Sequence, residues 1–175
     1  QTPIELRWMV YRKRAASLGT AHISAVTTHI NAPRERVFDA AVDPARAHQF
    51  FKPLLPLAGI SRVEISTVSE PAAPATRRVT WSDGATTEEE ILELDRPFRQ
   101  GYRWTNTLKG PLALLFRSAE ASWMFTPTPT GTAVYWSYRF EPRNRYTEPL
   151  MNIVVGGFRR WMQASLQHLR EQLER

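Results

Sequence analysis

The chain has 175 residues, 42% hydrophobic and 11% aromatic, enough apolar material for one packed domain and too much for a disordered segment. It contains no cysteine, which excludes disulfides, thiolate metal sites and cysteine nucleophiles, and no apolar run approaches the length of a bilayer-spanning helix. Net charge is +6, from 20 arginines and 3 lysines against 17 acidic residues; without a helix-turn-helix, zinc-finger or aromatic-basic motif, this predicts no specific nucleic-acid partner. Lack of cysteine and of a visible signal peptide predicts a cytoplasmic protein, with the periplasm or a membrane-peripheral place left open.

Residues 1–19 read as a basic N-terminal arm that ends at Gly19 and carries the cluster Arg12-Lys13-Arg14. Ile4, Leu6, Trp8 and Val10 alternate like a strand, while Ile4, Trp8 and Tyr11 fit one helical face, so the period does not decide. The arm either packs on the domain or makes peripheral contact with an anionic membrane. Residues 20–175 read as one domain. Ala21 to Asn31 is a strand, and Pro33 opens a short helix whose stripe is Val37, Phe38 and Ala41. Asp43-Pro44 marks a restart and a second short helix to Phe50 or Phe51. Lys52 to Pro56 is a loop.

Six strands follow: Arg62 to Val68, Thr76 to Trp81, Thr86 to Leu94, Phe98 to Thr107, Arg117 to Thr126 and Thr132 to Phe140. Asp83-Gly84 is a strong hairpin turn, and Lys109 to Leu115 reads as a loop. Pairing Phe125 with Val134 sets Trp123 opposite Trp136, Ala121 opposite Tyr138 and Ala119 opposite Phe140. The same register sets Glu120 opposite Arg139 and Ser122 opposite Ser137 on the other face. One face is aromatic or small and the other polar, so the aromatic face is expected inward. The C-terminal segment is a long helix, with Thr147 as its cap and Pro149 in its first turn. Its apolar residues from Met151 to Leu173 recur every three or four positions. Gly156 and Gly157 interrupt it, as a bend, a close approach or a packing notch.

The order strand, two short helices, six strands and long helix resembles the START-like helix-grip superfamily (SRPBCC), and within it the polyketide cyclase/dehydrase and lipid-transport group. The resemblance rests on Thr28-His29-Ile30-Asn31-Ala32-Pro33 before Val37-Phe38, on Asp43-Pro44, and on Arg77-Arg78-Val79-Thr80 with Asp83-Gly84. Glu89-Glu90-Ile91-Leu92, Tyr102-Arg103-Trp104, Gly110-Pro111-Leu112 and Gly131 to Trp136 continue it. The implied fold is α+β: a seven-stranded curved antiparallel sheet wrapped around the long C-terminal helix, with a cavity between. Trp123, Trp136, Tyr138 and Phe140 would give that cavity an aromatic wall, faced by Val155, Phe158, Trp161 and Met162 from the helix. The alternative is that these residues fill a solid core.

Polar candidates come from the middle strands. If Val79 and Trp81 face inward then so does Arg77, leaving Arg78 in water; the family pattern alone favours Arg78. Among three consecutive glutamates, Glu90 is taken as the inward one, and an inward pair would have to neutralise itself. The alternative is a cross-strand pair on the solvent face. Tyr102 and Trp104 share one strand face, either as ligand contacts or as core. His22 and His29 lie on opposite faces of one strand, so no metal site is expected, and no cofactor motif is present. The serines lack a nucleophile elbow. The expected function is binding or carriage of a hydrophobic small molecule or lipid; a cyclase, aromatase or dehydratase, or a membrane-surface lipid collector, are the alternatives.

Overall fold

The computed structural model describes residues 22–67, 75–105 and 112–175. The expected arm, residues 1–19, lies outside them. The described chain runs β1 (His22–Ile30), α1 (Arg34–Val42), α2 (Ala47–Phe50), β2 (Ile60–Thr67), β3 (Thr76–Trp81), β4 (Thr86–Asp95) and β5 (Arg99–Trp104). It continues with α3 (Leu112–Leu115), β6 (Phe116–Thr128), β7 (Gly131–Pro142), a single 3-10 turn (Glu148–Leu150) and α4 (Met151–Leu173). The strands form a seven-stranded antiparallel sheet in the order β1-β7-β6-β5-β4-β3-β2. Each neighbouring pair from β2 to β7 is sequential, so the sheet is a meander closed at one side by β1 against β7.

The β6–β7 register is the expected one: Phe125 faces Val134, Trp123 faces Trp136, Ala121 faces Tyr138 and Glu120 faces Arg139. Trp123, Trp136, Tyr138 and Phe140 are all buried. They meet α4, where Phe158 packs 4.7 Å from Phe140 and 5.6 Å from Tyr138 between ring centroids. One turn on, Trp161 lies 5.8 Å from Trp136 and 5.9 Å from Trp81. The curved sheet thus holds the helix through an aromatic face, each large ring removing well over 100 Å² of surface from water.

Two local expectations are corrected. The described part of the expected loop 109–115 contains the helical turn α3, since Leu-Ala-Leu-Leu consists of strong helix formers. Thr147 makes no capping bond; its hydroxyl donates to the Asn144 carbonyl at 2.9 Å, inside a tight turn, and α4 begins at Met151. Gly156 and Gly157 lie within α4, and a Cβ on either would meet nothing within 4 Å among the described residues, which argues against a close approach. Beside them, buried Ser24 of β1 donates to the Val155 carbonyl at 2.5 Å and ties the helix to the sheet edge. Among the described residues no helix is long and apolar enough to cross a membrane.

Candidate functional site

Between α4, the α1–α2 junction and strands β2 to β7 lies a small internal space. Val42, Asp43 and Pro44 contribute to one side, Ile60 and Val63 to another, and Phe51, Trp81, Trp123 and Trp161 to the apolar interior. Its free volume is about 20 Å³, which fits about one water. Phe51 is one of the rings that line it. It stacks on Trp161 at 5.4 Å and meets Trp136 edge-on at 5.6 Å. The chain around it is tied to α4 because the Trp161 indole donates to the Lys52 carbonyl at 3.0 Å.

Into this aromatic interior the middle strands bring a polar cluster. Val79 and Trp81 are buried, and Arg77 shares their side of β3 because side chains alternate along a strand. The register sets Arg77 opposite Glu89 of β4. Its Nε donates to Glu89 Oε2 at 2.5 Å, and the side chains are 17% and 4% exposed, so the pair is nearly out of water. Burial acts to lower the Arg77 pKa; the Glu89 charge, the hydrogen bond and nearby tyrosines reverse this, and the guanidinium stays charged. Glu89 Oε1 accepts from the Trp104 indole at 2.9 Å, and the Arg77 guanidinium lies 4.7 Å over the Tyr102 ring.

Tyr102 and Tyr138 share a hydroxyl–hydroxyl hydrogen bond of 2.8 Å. Burial, then the Glu89 charge, pushes the Tyr102 pKa well above its ordinary value. Burial chiefly, with the neighbouring Tyr102 and Glu89, does the same for Tyr138. Both phenols are held protonated and able to donate. Arg77, Glu89, Gln100, Tyr102 and Tyr138 all line the internal space.

Of the residues singled out in the sequence, Tyr102, Trp123, Tyr138 and Trp161 line this space. Trp104, Trp136, Phe158 and Met162 are buried in the packing around it, and Val155 is half-buried. Arg78 and Glu90 are on the wrong face for a cavity pair. Arg78 is 55% exposed and bonds Glu88 at 2.5 Å; Glu90 bonds Arg103 at 2.7 Å. The parity of Val79 and Trp81 places Arg77 inside, and the antiparallel register then selects Glu89. Phe51, Arg77, Glu89 and Gln100 were not among the sequence candidates. For Arg77 the signal existed in that parity; for Phe51, a loop-entry residue, no periodicity marks its direction. Among the described residues no group of three metal-ligating side chains comes together.

A family model described as polyketide cyclase/dehydrase and lipid transport matches residues 21–174, and the chain belongs to that family. No curated protein matches the sequence. Among solved structures, the chain is similar to the Zhui aromatase/cyclase from Streptomyces sp. R1128, with TM-score 0.69 and 16% identity over 89% of this chain and 95% of that one. It is similar to BexL, the di-domain ARO/CYC from the BE-7585A biosynthetic pathway, with TM-score 0.67 and 17% identity over 97% of this chain and 59% of that one. A protein of Thermus thermophilus matches with TM-score 0.64 and 21% identity over 86% and 96% of the two chains. At these identities the likeness is one of fold.

Proposed function

We propose that this family member binds a hydrophobic small molecule or lipid between its sheet and α4, in a carrying or presenting role. The observation that supports this reading is the buried polar cluster, Arg77–Glu89 and Tyr102–Tyr138, set in an otherwise aromatic interior. A core needs no such groups, because burying an ion pair gains little over apolar packing; a ligand pocket needs a few polar groups to fix orientation. With room for about one water, binding requires side chains to move.

Native mass spectrometry of the protein as isolated, and after incubation with a cell lipid and metabolite extract, tests the reading. A bound apolar molecule, identified after denaturing extraction, is the expected result. A protein that stays empty in both samples contradicts it.

One observation favours a cyclase or dehydratase as the second reading. Two phenols held protonated beside a cation can stabilise negative charge developing on a carbonyl oxygen. Turnover of a poly-ketone by the wild type, and its loss in Tyr102→Phe/Tyr138→Phe, would move the assignment there. Contact of the basic arm with an anionic membrane belongs to the proposal as well. Salt-sensitive binding to phosphatidylserine vesicles that disappears on removing residues 1–19 is its expected signature.

A further inference from the structure

Gln100 of β5 shares one side of its strand with Tyr102 and Trp104, because side chains alternate, and it stands opposite Trp123 of β6. That side faces the interior: Gln100 is 3% exposed and lines the internal space. Its side-chain amide, two N–H donors and one acceptor oxygen, makes no hydrogen bond among the described residues. Buried polar side chains are nearly always bonded, to protein or to ordered water, since an unpaired amide forfeits the bonds it makes in the unfolded chain. The neighbouring polar groups have turned elsewhere: the Glu89 oxygens to Arg77 and Trp104, the tyrosine hydroxyls to one another.

The space beside Gln100 has the size and the chemistry of a water site. A water needs about 10–15 Å³ of free volume and two to four polar partners. The space offers about 20 Å³, enough for one. Partners of both kinds line it. Gln100 brings a carbonyl oxygen and an NH2 group, and each Glu89 oxygen, having accepted one bond, keeps a further lone pair. In the Tyr102–Tyr138 pair one hydroxyl donates to the other, so one phenolic proton stays available whichever way the bond runs. A water donates and accepts at once, and it adds no charge beside the neutralised Arg77–Glu89 pair. An apolar occupant would leave the amide unpaired, and a larger polar one does not fit.

We infer that the interior is a binding site for a single ordered water, anchored by the Gln100 amide and completed by the Glu89 and tyrosine groups of the same wall. The site is complete in the protein alone, so it goes beyond the proposed ligand binding and stands or falls independently of it. A ligand that enters must either keep this water or reproduce its bonds.

Oxygen-17 magnetic relaxation dispersion of the full chain counts waters that stay inside the protein for longer than it tumbles. Wild type is compared with Gln100→Met, methionine having nearly the length of glutamine and no amide. The variant should hold one long-lived water fewer. An unchanged count, or no long-lived water in the wild type, overturns the inference whatever ligand experiments show. If a melting curve reveals that Gln100→Met does not fold, a high-resolution crystal structure of the wild type decides. Density for a water within hydrogen-bond distance of the Gln100 amide, about 2.7–3.2 Å, is the expected result. An amide bonded to protein atoms alone, with no water beside it, overturns the inference.

Discussion

Arg77 and Arg78 are adjacent and chemically identical, yet one is sealed against Glu89 and the other exposed beside Glu88. The difference has consequences that a denaturation curve can read. Glu89→Gln leaves the Arg77 charge buried without its counterion and should cost about 3–5 kcal/mol. Glu90→Gln loosens a pair open to solvent and should cost less than about 1 kcal/mol. Urea unfolding of the two variants checks this, and equal losses would contradict the assignment of faces. The tyrosines supply a pH test. Their folded pKa values lie above the ordinary value of 10.0. The stability they contribute is therefore fully present below pH 10 and is lost as pH rises beyond it, because the unfolded chain releases its phenolic protons first. Unfolding free energy followed from pH 8 to 11 should fall above pH 10, less steeply in Tyr102→Phe/Tyr138→Phe.

At the level of elements, the sequence was most legible where two faces constrained one register. The β6–β7 pairing satisfies aromatic and small residues inside and Glu120–Arg139 outside at once; a slip of one residue would turn Trp123 and Trp136 to water. Glu88-Glu89-Glu90 offered no such contrast, and the inward member follows from the long-range pairing of β3 with β4. Phe51 was invisible for the same reason, since its direction is set by contacts with Trp161 and Trp136 rather than by spacing. The glycines of α4 were legible as an interruption, though not as one without a steric cause. Because their Cβ positions are open among the described residues, Gly156→Ala and Gly157→Ala should each stabilise by about 1 kcal/mol. Thermal unfolding should show a rise of about 2–4 °C for each. A fall would mean that the space is filled by residues outside those described.

On the scale of the whole molecule, the described residues build a curved sheet and a long helix around an interior that is aromatic, closely packed and polar along the wall of Arg77, Glu89, Tyr102 and Tyr138. Close packing and a ligand site are compatible if the rings nearest the α1–α2 junction yield to a ligand of matching chemistry. The six tryptophans of the chain make this directly observable. Three of them, Trp81, Trp123 and Trp161, line the internal space, whereas Trp8 lies outside the described residues. Fluorine-19 NMR of protein labelled with 5-fluorotryptophan, titrated with 9-fluorenone as a hydrophobic probe, reports on each ring separately. Saturable shifts at Trp81, Trp123 and Trp161 are expected if the ligand enters between sheet and helix; unmoved resonances, or a shift confined to Trp8, would contradict an internal site.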